Sequence, residues 1–203
     1  MPTTTQRWIY IGVDLGKRRD FSAIAVVERV WEQSSVETFL RTSIDGEWWF
    51  RVRMLERLRL GTPYPDVVRR VNEVAGHRMV AMGRSVVVDG TGVGNPVVDL
   101  LRQALNCQIM PVMITGGDKP TTGLADGYES VPRSVLLTNM QVLVQQGRLR
   151  VASTCREAGT LRREMTGLKL NGRGSEAHDD LALAVALALW KARAGVVIKD
   201  ERR

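Results

Sequence analysis

The sequence contains few cysteine and histidine residues. Among its 203 residues are two Cys and two His, and Cys107 lies far from Cys155 along the chain. So few cysteines, spaced so widely, cannot form a disulfide framework or a cysteine-based zinc site. We therefore interpret both as thiols of a reducing cytosol.

The sequence also lacks a signal peptide and a membrane-spanning segment. Its longest apolar run, residues 181–190, is shorter than the roughly 20 residues that a helix needs to cross a bilayer. The N-terminal stretch MPTTTQRWIYIGVD has no basic region followed by an apolar one. We expect a cytoplasmic protein that has no membrane partner.

Acidic residues are fewer than basic ones. The chain has 29 Lys and Arg against 22 Asp and Glu, a formal net charge of +7. This excess favours a polyanionic partner, because Lys and Arg neutralise phosphates and release counterions, although a basic protein without such a partner could have the same composition. The length and the 44% hydrophobic content predict one domain over residues 1–203, with a core at about 8–194 and a charged tail at 195–203.

The hydrophobic pattern predicts a mixed α/β sheet with helices on both faces. Strands are predicted at residues 7–14, 22–30, 36–44, 49–58, 85–90, 107–114 and 148–151. Helices are predicted at residues 66–82, 96–105, 131–146, 155–165 and 176–194. Between them, residues 115–130 are rich in Gly, Thr and Asp, which predicts a long surface loop or hairpin.

Two acidic residues end strands that the pattern places in the middle of the sheet. Asp14 ends the first strand and Asp89 ends the strand SVVVD. If these strands are parallel neighbours, both carboxylates face one crevice, where their repulsion calls for a proton or a cation. A hard divalent cation such as Mg²⁺ or Mn²⁺ suits oxygen ligands. For each residue alone, an ordinary Asp turn at a strand end is an equally good interpretation.

A third acidic position precedes the most apolar segment of the chain. In HDDLALAVALALW, Asp179 and Asp180 follow His178 and stand at the start of a helix that must be buried. One Asp could be an N-cap and the other could interact favourably with the helix macrodipole. Because a cap needs only one acid, we expect the pair both to cap the helix and to supply a metal ligand, with His178 as a weak ligand, a general base or a structural residue.

The glycine-rich stretch DGTGVGN, residues 89–95, is a weaker candidate for a phosphate-binding loop. It lacks the Gly-Lys-Ser/Thr ending of a P-loop, a motif that occurs nowhere in the chain. A tight turn leaving the strand is the better interpretation.

Three motifs in order, GVDLGKRRDFSAIAVVE, VVVDGTGVGNPVVDLL and HDDLALAVALALW, resemble the nuclease domain of large terminase subunits from tailed phages. That domain has an RNase H-like fold. The stretch GLADGYESVPRSVLLTNMQVLVQQGRLRV, followed by residues 161–164, is also similar to the corresponding family region. The resemblance covers residues 9–190, and the order and spacing of the motifs make it specific.

The resemblance implies a DNA endonuclease that hydrolyses phosphodiesters with two divalent metals, Mg²⁺ or Mn²⁺. Asp14, Asp89, Asp179 and Asp180 match the metal-binding and catalytic carboxylates, with His178 as a further candidate ligand. Double-stranded DNA would contact basic residues with little sequence preference. The candidate DNA-binding residues are Lys17, Arg18, Arg19, Lys119, Arg133, Lys169 and Arg173.

The sequence departs from complete large terminases because it lacks their ATPase motor domain. It could be an excised domain, a separate gene product that pairs with an ATPase motor or other packaging proteins, or a prophage remnant, in each case acting in the host cytoplasm. The strand, Asp-x-Gly and hairpin at its start also occur in actin-like and sugar-kinase-type ATPases. A Holliday-junction resolvase and a non-catalytic DNA-binding or assembly protein on the same fold are further alternatives.

Overall fold

The computed structural model describes residues 6–16, 20–38, 41–80, 83–92, 95–168, 178–194 and 196. The strands are β1 (Arg7–Asp14), β2 (Ala23–Thr38), β3 (Arg41–Arg57), β4 (Arg84–Asp89), β5 (Gln108–Thr115), β6 (Glu129–Pro132) and β7 (Leu149–Val151). The helices are α1 (Tyr64–Gly76), α2 (Asn95–Ala104), α3 (Arg133–Gln145), α4 (Ala158–Gly167) and α5 (Asp180–Arg193). None of the described helices is long and apolar enough to span a membrane.

All of these strands belong to one mixed sheet in the order β6-β5-β4-β1-β2-β3-β7. Strands β1, β2 and β3 form an antiparallel meander, while β4, β5 and β6 extend the sheet in parallel beyond β1. Strand β7 pairs in parallel with β3 at the other edge. Because β1, β4 and β5 are parallel, their carboxyl ends meet on one side of the sheet, which we name the carboxyl edge.

Helices cover both faces of the sheet, as the hydrophobic pattern predicts. On one face, α1 and α2 pack on β-branched side chains of β1 and β4, including Ile11 and Val88. On the other face, α3, α4 and α5 enclose a second apolar cluster around Phe50 and Val87. The predicted mixed α/β sheet is confirmed.

Helix α5 lies closer to the sheet than an ordinary side chain would allow. It packs on β1 and β2, and every residue from 180 to 189 is buried. A Cβ placed on Gly12 of β1 would overlap the Ala184 carbonyl oxygen and lie 2.9 Å from the Ala188 backbone nitrogen. Alternating Ala and Leu along α5 permit this approach, because the alanines present almost no side chain to β1. The first turn of α5 is thereby held at the carboxyl edge.

Some predicted elements differ from the observed ones. The prediction of one strand at residues 36–44 is wrong, since residues 36–38 end β2 and residues 41–44 begin β3 in one long antiparallel pairing. Strand β6 lies partly within the predicted 115–130 loop, and it forms because β5 offers a parallel partner. Helix α1 ends at Gly76, six residues before the predicted end, where His77 adopts an extended conformation.

The contact between Gly12 and α5 predicts a large cost for adding a methyl group. We expect Gly12→Ala to lower the free energy of unfolding by about 2–3 kcal/mol, because backbone rather than a flexible side chain occupies the space. Urea denaturation measures the change. Gly76→Ala is the matched control, since a Cβ there meets nothing within 4 Å, and it should change stability by about 0.5 kcal/mol or less. Equal stability of the two variants would contradict the packing described here.

Candidate active site

Asp14 and Asp89 end two neighbouring parallel strands. The register pairs Val13 of β1 with Val88 of β4, so the next residue of each strand is an aspartate at the carboxyl edge. Asp14 is buried and Asp89 is half-buried. The two strands are therefore the parallel neighbours that a shared site for these carboxylates requires.

Asp89 also shapes the turn that leaves β4. Its Oδ1 accepts a hydrogen bond of 2.8 Å from the Thr91 backbone N–H, and the Thr91 hydroxyl accepts one of 2.7 Å from the Ile114 N–H. Gly90 has no room for a side chain, since a Cβ there would lie 2.7 Å from the Tyr128 ring. The turn predicted for this Asp therefore forms, and it coexists with the placement of Asp89 beside Asp14.

The start of α5 brings Asp179 and Asp180 to the same edge. Burial raises the pKa of Asp14 well above its usual 3.8, and the charges of Asp89, Asp180 and Asp179 raise it further, in that order. The positive charge of Arg133 lowers this pKa. The three carboxylates predicted together with Asp14 therefore lie close enough to act on it electrostatically.

Two arginines neutralise part of this negative charge. Arg133, the first residue of α3, forms an ion pair with Asp179. Arg57, the last residue of β3, forms an ion pair with Glu164 of α4 and lies 3.5 Å from Asp180 Oδ2. Burial raises the pKa of Asp180, while the charges of Arg57 and His178 lower it.

The prediction that an aspartate of the pair caps α5 is wrong. Asp179 occupies the N-cap position, but its side chain makes no capping hydrogen bond. The Ala182 backbone N–H instead donates a 2.8 Å hydrogen bond to Glu164 Oε2, an acceptor from another helix. Asp180 in the first turn remains well placed for the helix macrodipole, as the sequence predicts. The aspartate side chains are thus not used in capping the helix.

Glu164 is the residue of the site that sequence reasoning missed. It is buried, and burial raises its pKa to about 7 against the opposing effects of the Ala182 N–H and Arg57. Its signal in the sequence is slight: it follows Leu161 by three residues, which places a carboxylate on the buried face of α4. The sequence gives no comparable signal for Arg57, because its partners, Glu164 of α4 and Asp180 of α5, are brought to it only by the tertiary structure.

His178 lies just before α5 and is exposed. Its ring packs edge-on against Phe21 with the centroids 5.0 Å apart, and Phe21 in turn contacts the Arg57 guanidinium. Its charge acts on Asp180, so it borders the carboxylates. Its roles as a ligand or base stay predictions.

The donor set fits hard divalent cations. Four carboxylates supply oxygen ligands, and Asp180 Oδ2 is buried without accepting a hydrogen bond from any described residue. Within the described part of the chain, however, no three His, Cys, Asp or Glu side chains converge as a ready-made metal cage. In this arrangement Asp179 is paired with Arg133, and Asp180 Oδ2 lies 3.5 Å from Arg57.

The predicted DNA-binding residues fall into three groups. Arg133 is half-buried and lies inside the carboxylate cluster, and Lys119 is exposed in the loop that follows β5. The others, Lys17, Arg18, Arg19, Lys169 and Arg173, lie outside the described residues. DNA contacts by these residues stay predictions.

Two solved nuclease structures resemble this fold over most of its length. The large terminase nuclease from the thermophilic phage G20c matches with a TM-score of 0.53 and 20% sequence identity, over 92% of this chain and 83% of that chain. A human cytomegalovirus terminase nuclease domain matches with a TM-score of 0.54 and 14% identity, over 89% of this chain and 81% of that chain. This chain has the fold of a terminase nuclease domain.

The RNase H-like fold predicted from the three motifs is confirmed. No protein-family model matches the sequence, and no curated protein matches it. At such low identity the likeness to terminase nuclease domains concerns the fold alone. The chemistry must be argued from the carboxylates at the carboxyl edge.

The raised pKa of Asp14 predicts that this residue destabilises the metal-free protein at neutral pH. The pKa of Asp14 is higher in the folded protein than in the unfolded chain, so folding favours the protonated form. The stability that protonated Asp14 contributes is therefore fully present below the unfolded-state pKa. It is lost as the pH rises through the folded-state pKa. We expect Asp14→Asn to raise the free energy of unfolding at pH 8 in EDTA, because Asn does not carry the charge that burial and the neighbouring carboxylates oppose.

Urea denaturation of both proteins from pH 4 to pH 8 measures this effect, and the advantage of the variant should grow with pH. Asp99→Asn on α2 is the control, because that carboxylate is exposed and outside the cluster. A variant less stable than the wild type at pH 8 would show that the carboxylates do not repel one another.

Proposed function

We propose that this protein is a metal-dependent DNA endonuclease of the phage large-terminase type, which cuts DNA during genome packaging. The observation that carries the proposal is that Asp14, Asp89, Asp179 and Asp180, from three elements, lie at the carboxyl edge, close enough for the charges of the other three to raise the pKa of Asp14. A cluster of like charges reduces the stability of the metal-free protein, which favours a functional role over a structural one.

Asp14, Asp89, Asp179 and Asp180 would hold the cations, Mg²⁺ or Mn²⁺. A pair of bound cations would supply an activated water and stabilise the leaving oxygen of a phosphodiester. Each residue contributes through its position: burial excludes water from Asp14, and the turn at Thr91 orients Asp89. Arg133, now paired with Asp179, could instead bind a phosphate oxygen of DNA, since guanidinium groups bind carboxylates and phosphates alike.

Two further facts support the proposal. The human cytomegalovirus domain that shares this fold was soaked with Mn, which is in keeping with a carboxylate site for a hard divalent cation. The net charge of +7 favours a polyanion such as DNA. We further propose that ATP-driven translocation is supplied from outside these 203 residues, in which no P-loop motif occurs.

Plasmid cleavage tests this function. We expect the purified chain to nick or linearise supercoiled DNA with Mn²⁺ or Mg²⁺ and to be inactive in EDTA. Asp89→Asn should reduce the rate at least about 100-fold while the protein stays folded, because it removes a charged ligand at the metal site. Gel electrophoresis of the plasmid over time gives the rate, and circular dichroism checks the fold.

The matched control is Asp99→Asn, which changes an exposed aspartate of α2 and should cut at the wild-type rate. Full activity of Asp89→Asn would refute the assignment of the site. Faster cutting of four-way junctions than of linear duplex would instead favour the Holliday-junction resolvase. ATP hydrolysis without cutting would favour the actin-like ATPase.

DNA binding without cleavage is a separate prediction. In EDTA, Lys119→Ala should weaken binding to short duplexes of any sequence, and it should reduce the slope of log affinity against log salt by about 0.9, as expected for one phosphate contact. Fluorescence anisotropy over a range of salt concentrations measures both. Lys191→Ala is the control, because Lys191 lies roughly 16 Å along α5 from its first turn. An equal loss in both variants would mean that charge alone, and not the carboxyl edge, attracts DNA.

A further inference from the structure

Glu164 connects three elements that meet at the carboxyl edge. It lies on α4, and its side chain is buried, with one oxygen accepting the Ala182 N–H of α5 at 2.8 Å and the other paired with Arg57 at the end of β3. The Arg57 guanidinium also lies 3.5 Å from Asp180. Because both oxygens of this buried carboxylate are engaged, Glu164 determines which partners remain for Asp179 and Asp180 in the first turn of α5.

We propose that Glu164 is a positioning residue for the metal site: by capping α5 and holding Arg57, it leaves Asp179 and Asp180 able to bind metal. This inference rests on the proposed function. Glu164 would not contact metal or DNA, and it would act through the orientation of the two aspartates.

The capping contact carries the first half of the argument. An N-cap aspartate normally turns its side chain back to the backbone N–H two or three residues ahead, and Ala182 is the third residue after Asp179. Glu164 already occupies that N–H, so the Asp179 carboxylate points to Arg133 instead. Without Glu164, the favourable local alternative for Asp179 is to cap the helix itself, which would withdraw it from the site.

The ion pair between Arg57 and Glu164 supports the second part of the proposal, which concerns Asp180. Among the described residues, Arg57 has two acidic neighbours, Glu164 and Asp180, and its pairing with Glu164 is the closer of the two. If the Glu164 carboxylate is removed, the half-buried guanidinium keeps Asp180 as its acidic partner within the described part of the chain. A tighter Arg57–Asp180 pair would compete directly with a divalent cation for the same oxygens.

The experiment measures Mn²⁺ binding by isothermal titration calorimetry, together with plasmid cleavage and urea stability. We expect Glu164→Ala to weaken Mn²⁺ binding about 10-fold or more, the usual range for residues that orient metal ligands. Glu164→Gln should bind Mn²⁺ with intermediate affinity, because its amide oxygen can still accept the Ala182 N–H but its neutral side chain no longer holds Arg57. If Glu164→Ala folds poorly, the comparison of Glu164→Gln with the wild type still tests the proposal.

Leu161→Ala is the control for destabilisation. It removes a buried side chain from the same helix, one turn before Glu164, and should lower the urea midpoint while leaving the Mn²⁺ affinity unchanged. Wild-type Mn²⁺ affinity in Glu164→Ala, or an equal loss of affinity in Leu161→Ala, would overturn the positioning role. A wild-type protein that neither binds Mn²⁺ nor cuts DNA would overturn the proposed function, and the positioning role with it.

Discussion

The close approach of α5 to β1 is the constraint on which the rest of this structure depends. Gly12 has no side chain, so the backbone of α5 at Ala184 and Ala188 rests almost directly on the central strand. The C-terminal end of the helix is tied to the sheet as well, since Arg29 of β2 donates a 3.0 Å hydrogen bond to the Ala192 carbonyl. A helix held at this distance and at both ends cannot slide, so its first turn presents Asp179 and Asp180 beside Asp14.

This rigidity matters because the carboxylates repel one another. Burial and three like charges raise the pKa of Asp14, and only part of the negative charge is balanced by arginine. Arg133 and Arg57 come from different elements, so the balance forms only when β3, α3, α4 and α5 are all in place. The protein thereby stores electrostatic energy at the site, which the divalent cations proposed here would release by neutralising the acids.

The sequence allowed much of the fold to be predicted because its signals are local. Continuous β-branched runs predicted β1 and β4, and the apolar segment after Asp180 predicted a buried helix. Weak local signals led to errors. Strand β6 has four residues and includes Pro132, so its pairing with β5 decided its conformation. The long β2–β3 pairing was divided wrongly, because the largely polar sequence of residues 32–47 shows no apolar alternation that would mark where one strand ends and the next begins.

For the candidate site, the sequence by itself determined which acids end strands or begin a helix, since those positions follow from apolar patterns on either side of Asp14, Asp89 and the Asp179–Asp180 pair. Only the tertiary structure decided what each acid does. Glu164 takes the capping hydrogen bond in place of the aspartates, and Arg57 and Arg133 form ion pairs; with one exception, these contacts join residues more than 40 positions apart in the chain. The one exception, Glu164 with Ala182, still joins two separate helices. Local patterns report burial and conformation, whereas hydrogen bonds and ion pairs between elements depend on which surfaces the fold brings together.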